Sequence, residues 1–324
     1  MAAWIVRRLA ASIAIVLAVV TLTFFLVHLA PGDPFCGGQE RVVDPDVCRR
    51  MAEQFGTDRS LPVQYVLYLK SVGSGDLGWS WMQRRPVAHV LADVIPNTLI
   101  LAGTALCLDF LLGLVIGVYQ ALRRNRLADL ALGQITMFLH SVPTFWLGLA
   151  FLLVFAVWLG WFPAGGIRDP ALGPSTPWHV SFFDLLWHLV LPAATLGLVG
   201  AAATARYQRA AVLEVLSQDY IRAARAKGAG EGRVVRRHAL RNALLPLITL
   251  FGLAFPFLLT GAVLVETIFS WPGMGRLAAD AISARDYLLV TAATMVAGTM
   301  VVVGSFLADV LYALADPRIR IRTP

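Results

Sequence analysis

Lysine occurs only twice in the 324 residues, at Lys70 and Lys227, and charged residues of all kinds make up 15%. A soluble domain carries about a quarter charged residues and about 45–50% apolar ones; here the apolar share is 58%. Too little polar surface remains to cover water-soluble domains of this length, which excludes an ordinary soluble enzyme as well as disorder. Both lysines lack the flanking pattern G-x-x-x-x-G-K-[ST], so the chain has no phosphate-cradling loop of its own. No H-E-x-x-H or clustered Cys/His spacing supports a catalytic metal. Gly73-Ser74-Gly75 lacks the G-x-S-x-G frame of a hydrolase elbow. No catalytic site and no metal site can be assigned. Cysteine is also scarce, with Cys36, Cys48 and Cys107.

What is abundant is long apolar sequence. A bilayer core of about 30 Å needs roughly 20 apolar residues of helix. Runs of that kind lie at Leu9–Leu29, Asn97–Leu122, Leu130–Leu159, Leu185–Ala205, Ala243–Val265 and Tyr287–Ala315. They are too long and too unalternating for barrel strands. The expectation is an all-α membrane protein with six transmembrane helices. The first run follows Arg7 and Arg8, as a signal peptide would, but no A-x-A cleavage site follows; it is read as an uncleaved anchor.

Charge sets the orientation. With the N-terminus inside, the inner segments hold 17 Lys/Arg against 5 acids, and the outer ones 10 against 12. That bias obeys the positive-inside rule and predicts both termini in the cytoplasm. It also accounts for a pI near 9.8 without nucleic acid. A large extracytoplasmic loop, Pro31–Ile95, then separates helices 1 and 2. Cys36 and Cys48 fall in this loop, where a disulfide is open to them; two free thiols are the alternative. Cys107 is read as packing within the second helix.

Two acids in apolar runs are candidates for the translocation path or a gate. Asp109 lies mid-helix, where it either lines a cavity or makes a structural hydrogen bond. Glu266 lies near an outer helix end and is expected to shape a gate or loop rather than bind substrate. Asp309, nearer the inner end, is expected to tie to an inner arginine. His140 and His188, each shortly before a proline, read as helix-bend features.

The inner segment 206–242 carries the strongest motif, Ser217-Gln218-Asp219-Tyr220-Ile221-Arg222-Ala223-Ala224-Arg225-Ala226-Lys227-Gly228. Ser217 or Asp219 suits a helix N-cap, and Gly228 the left-handed residue that ends it. The result is a short helix built to dock into a partner's groove; a solvated basic loop is the plainer alternative.

This segment resembles the EAA-type loop of ABC importer permeases, in the form used by the dipeptide/oligopeptide/nickel subclass. Other stretches resemble the same subclass in the same order: Pro31-Gly32-Asp33-Pro34, Gly75-Asp76-Leu77-Gly78, His238–Pro246, Val265–Gly273 and Asp316–Arg320. Arg222 departs from the general motif, which has Glu there. The resemblance implies a type I ABC importer permease in a bacterial cytoplasmic (inner) membrane. The long first outer loop is similar to that of B-type subunits. It further implies a C-type permease partner, two ATPase subunits or one fused ATPase, and an extracytoplasmic binding protein. This chain would hold no cofactor; ATP and Mg would be bound by the ATPases. They would dock at Tyr220, Ile221, Arg222, Ala223, Ala224, Arg225, Lys227 and Gly228. The expected division is 1–95, the first helix plus outer loop, and 96–324, a five-helix permease core. Peptides are the expected cargo, with nickel, glutathione or another small solute as alternatives. A secondary transporter or channel is the competing class.

Overall fold

The computed structural model describes residues 2–29, 46, 49–50, 53, 59–173, 175–247, 250–251 and 262–315; at 2–5, 27–29 and 307–315 it describes the backbone alone. The described residues are mostly helical, and the chain forms two compact units.

One unit comprises Ala2–Leu99 and Pro272–Val303. It contains α1 (Ala2–Leu29), α2 (Leu61–Gly73), a two-stranded antiparallel ribbon of β1 (Trp79–Ser80) and β2 (Arg85–Pro86), the first turns of α3 (Val87–Leu122), α11 (Met274–Ala284) and most of α12 (Tyr287–Ala315). Pro62 sits in the first turn of α2, where its missing N–H costs nothing. Val20 and Phe24 of α1, Tyr68 of α2, Val87, Val90 and Leu91 of α3, Leu277 of α11, and Leu289 of α12 share one core. Burial, reinforced by nearby Tyr65, pushes the Tyr68 hydroxyl pKa up to about 12. Asp286 fastens the ribbon to α12. Its carboxylate accepts the Ser80 hydroxyl at 2.6 Å, the Met82 N–H at 3.1 Å and the Leu289 N–H at 3.2 Å.

The other unit comprises Ile100–Trp271 and the end of α12 from Gly304. It holds the rest of α3, α4 (Leu127–Ser141), α5 (Thr144–Phe151) running on as a π-helical stretch (Leu152–Trp158), α6 (Trp178–Leu216), α7 (Asp219–Ala226), α8 (Glu231–Arg233), a second π-helical stretch (Val234–Ala239), α9 (Leu240–Ala243) and α10 (Val263–Ile268).

Helices α3 and α6 approach until their backbones nearly touch. A Cβ at Gly113 would come within 2.5 Å of the Thr204 side chain, and one at Gly117 within 2.6 Å of the Ala205 carbonyl oxygen. Gly197 and Gly200 perform the same service from α6, against Leu108 and Asp109. Small residues are what close packing requires where water supplies no driving force between helices.

Among the described residues, four helices are long and apolar enough to cross a membrane: α1, α3, α6 and α12. The run at Leu130–Leu159 is not one straight helix as its length suggests. It breaks between α4 and α5, which meet at 103°. Val142 is extended before Pro143, whose ring disfavours a helical residue ahead of it, and the helix restarts at Thr144. The pair makes a fifth span if it crosses as one. The expected run at Ala243–Val265 lies largely outside the described residues, as do Cys36, Cys48, the side chain of Asp309 and the Asp316–Arg320 stretch. Cys107 is exposed, which corrects its reading as packing. It falls four and eight residues before Leu111 and Val115 on the exposed stripe of α3.

Candidate functional site

The motif at 217–228 forms the helix α7. Neither Ser217 nor Asp219 caps it: Gln218 takes the cap position with extended backbone and no capping side chain, and the Ser217 hydroxyl donates to the Glu214 carbonyl oxygen at 2.7 Å. Asp219 opens the first turn and pairs with Arg222 at 2.5 Å, an arrangement the helix dipole favours. The helix ends on Gly228 at φ +83°. The Ala229 N–H reaches the Ala224 carbonyl at 3.2 Å and the Gly228 N–H reaches Arg225 at 2.9 Å, a Schellman closure.

One residue anchors this helix. Ile221 is wholly buried against Val234 and Ala239, with Val215, Leu216 and Ala229 around it. Burying one such side chain contributes about 1.5–3 kcal/mol. Ile221 therefore faces its own subunit, and the surface left open consists of Tyr220, Arg222, Ala223, Arg225, Ala226, Lys227 and Gly228, with Ala224 half-buried.

Two side-chain ties reinforce the anchor. The Asn242 amide donates to the Tyr220 hydroxyl at 2.7 Å, which links α7 to α9. Arg225 donates to both carboxylate oxygens of Glu231, at 2.7 and 3.2 Å, and this hydrogen-bonded guanidinium holds Glu231 below the ordinary carboxylate range. The segment is thus an exposed cationic helix with a small Ala at its centre, seated on one isoleucine.

The intramembrane acids are placed differently. Asp109 accepts the Thr204 hydroxyl at 2.6 Å and lies over Gly200, where a methyl would overlap its carboxylate. Its geometry is that of a tie between α3 and α6. Glu266 is wholly buried in α10, and its carbonyl accepts the Trp271 N–H at 2.8 Å across a turn that holds Ser270 at φ +49°. The 160–173 connection seats itself on that turn: the Gly166 N–H donates to the Phe269 carbonyl at 2.8 Å, and a Cβ at Gly165 would fall 2.5 Å from the same oxygen. His188, the expected bend feature, is buried with Nδ1 2.9 Å from the Asp184 carbonyl oxygen. Among the described residues, no group of three His, Cys, Asp or Glu could hold a metal ion.

Residues 113–321 match the family described as binding-protein-dependent transport system inner membrane component, and residues 1–102 match its N-terminal companion. The chain belongs to this family. It is accordingly a multi-pass inner-membrane permease component. The permease is 42% identical to a di/tripeptide transport system permease protein, DppB, of Pseudomonas aeruginosa, over 99% of each chain. It is 41% identical to the oligopeptide transport system permease protein AppB of Bacillus subtilis, over 98% of this chain and 99% of that one. A glutathione transport system permease protein, GsiC, of Salmonella typhimurium is 38% identical over 98% of each chain. The fold of this chain is similar to that of the inward-facing MetNI methionine ABC transporter, with a TM-score of 0.52 at 19% identity, covering 70% of this chain and 96% of that one. The type I importer-like fold is therefore shared.

Sequence reasoning missed one polar pair. Arg209 of α6 and Asp129 of α4 form a two-pronged ion pair, both contacts 2.8 Å, across 80 residues of chain. Taken singly, each looks like one more inner charge. The Gly113–Gly117 pair did carry a signal, the G-x-x-x-G spacing.

Proposed function

We propose that this chain is the B-type half of the translocation pathway of an ATP-driven peptide importer, and that it docks its ATPase through α7. The supporting observation is the build of that segment. An exposed cationic helix, centred on Ala223, is held by the buried Ile221 and closed by Gly228, and so presents a firm knob to a partner. The charge asymmetry supports six spans with both termini and 206–242 on the cytoplasmic side, and the 31–95 loop outside. The division into 1–95 and 96–324 follows the same reading.

The permease itself performs no chemistry. ATP and Mg belong to the ATPase subunits, which close on nucleotide and pull α7. A C-type permease forms the other wall of the cavity, and an extracytoplasmic binding protein delivers the cargo. Such a system moves substrate by shifting the balance between inward- and outward-facing states, each favoured by different partner contacts. The relatives' names support di- and oligopeptides. Glutathione is the second reading, supported by the GsiC likeness.

Uptake of radiolabelled trialanine and of radiolabelled glutathione in deletion and complemented cells decides between them. Trialanine uptake is expected to return with the wild-type gene. Gly228→Asp is expected to abolish it, with the chain still in the membrane and the ATPases absent from its detergent extract. Trialanine uptake that does not depend on this gene overturns the peptide reading. Full uptake by Gly228→Asp overturns docking at α7.

A further inference from the structure

The ends of α3, α4 and α6 hold a buried polar cluster that the docking surface does not explain. Arg209 Nε donates to Asp129 Oδ1 and Nη2 to Oδ2, and Asp129 Oδ2 also accepts the Asn125 N–H at 3.0 Å. The Gln120 amide donates to the Asp129 carbonyl at 3.3 Å. The carboxylate side chain is only 4% exposed. Beside this pair, Gln208 is 1% exposed, and among the described residues neither its amide nitrogen nor its oxygen has a partner, nor has the Gln120 oxygen.

The position of the cluster matters as much as its composition. From Arg209, α6 runs unbroken to Leu216, and only Ser217 and Gln218 separate it from α7. Along those turns Val212 packs with Ala121 and Ala243, and Val215 and Leu216 pack on the Ile221 anchor. A displacement of α7 therefore has a helical rod to act on, and the first charged attachment of that rod to another helix is Asp129.

We infer that the Asp129–Arg209 pair is the joint that makes α4 follow α7, and that the Gln208 amide is a reserve group which gains hydrogen bonds in the opposite state of the cycle. This rests on the docking reading above. Separating the pair would strand a buried charge, so α4 moves with α6 instead of sliding past it. An amide left unsatisfied in a buried place disfavours the arrangement that strands it. A joint that is firmly paired yet carries that penalty is suited to switch between two packings. Asp129 and Arg209 act here as positioning residues; neither is assigned contact with cargo.

The test uses the complete transporter reconstituted in lipid vesicles, reading trialanine imported per ATP hydrolysed alongside ATPase co-purification. Asp129→Asn is expected to keep the ATPases bound and lower that ratio at least tenfold. Arg209→Lys, which retains the charge pair, is expected to keep most of it, and the exchange Asp129→Arg with Arg209→Asp to recover much of what the single change loses. Gln208→Leu removes the stranded amide at similar volume. It is expected to raise thermal stability of the resting complex and slow uptake several-fold, and it decides the matter if Asp129→Asn fails to accumulate. An unchanged ratio in Asp129→Asn, or unchanged uptake in Gln208→Leu, overturns the joint. Absence of ATPases from the wild-type preparation overturns the docking reading instead.

Discussion

Two regions of this permease hold their helices by opposite means. Between α3 and α6, contact is made by what is missing: Gly113, Gly117, Gly197 and Gly200 leave room for a facing backbone or side chain. At α7, contact is made by what is present: one buried isoleucine, an amide on Tyr220 and a guanidinium on Glu231. The difference follows from the surroundings. Lipid rewards close backbone approach, because burying an apolar side chain there gains little. A polar connection gains its fixity from removing an apolar group from water, with charged ties added. The first kind of contact tolerates no added atom, whereas the second tolerates loss of a tie but not of its anchor.

The largest effect is expected from adding bulk at the glycines. Gly117→Leu places its side chain against the Ala205 carbonyl and the Gln208 Cβ, neither of which can move without shifting α6. Overpacking costs about 1–3 kcal/mol and sometimes more, and here it falls on backbone. The variant is expected to reach the membrane poorly and to elute as aggregate on size-exclusion chromatography. Gly103→Ala sharpens the comparison, since nothing lies within 4 Å of its Cβ on the same helix. It is expected to behave as wild type. Equal behaviour of the two variants would break the argument that contact, and not glycine itself, sets the cost.

That control also marks what could be read from the chain alone. The long apolar runs announced α1, α3, α6 and α12, because hydropathy is a local property. The left-handed end of α7 was legible too, since Gly228 stands where a helix of that length must close. Gly103 and Gly113, by contrast, look alike in the sequence, and only the facing helix separates them. The same holds for Arg209 and Asp129, whose pairing needs α4 and α6 to be side by side. Ile221 reads as one more docking residue because it lies within the motif, yet the neighbours that bury it, Val234 and Ala239, come a dozen or more residues later. The break at Val142-Pro143 had its proline in view, but composition averages over a bend.

A middle-sized effect belongs to the anchor of α7. Ile221→Ala removes a wholly buried side chain, a change that costs about 2–5 kcal/mol where the site cannot collapse. That contact reaches the long helices at the last two residues of α6, Val215 and Leu216, and leaves the glycine contacts between α3 and α6 untouched. The chain is therefore expected to accumulate normally, while amides of 219–226 lose protection in hydrogen exchange and the ATPases are lost on purification. Wild-type ATPase recovery in this variant would mean that α7 is held by its ties alone.

The smallest effect belongs to those ties, and pH separates it from the anchor. Glu231 is an exposed carboxylate held below its ordinary range by Arg225, so its contribution is fully present above the unfolded carboxylate value of about 4.3 and is lost as pH falls through the lower folded one. Solvent screening keeps that contribution slight even when it is intact. Glu231→Gln is accordingly expected to raise hydrogen exchange of the 226–233 amides slightly at neutral pH and to leave uptake near wild type. The difference between variant and wild type is expected to fade as pH falls through the lowered folded value of Glu231, because the wild-type carboxylate is then neutral as well. Ile221→Ala, which lacks no titrating group, is expected to keep its difference from wild type across the same range. A Glu231→Gln difference that persisted at low pH would mean that Glu231 holds α7 by packing and not by charge.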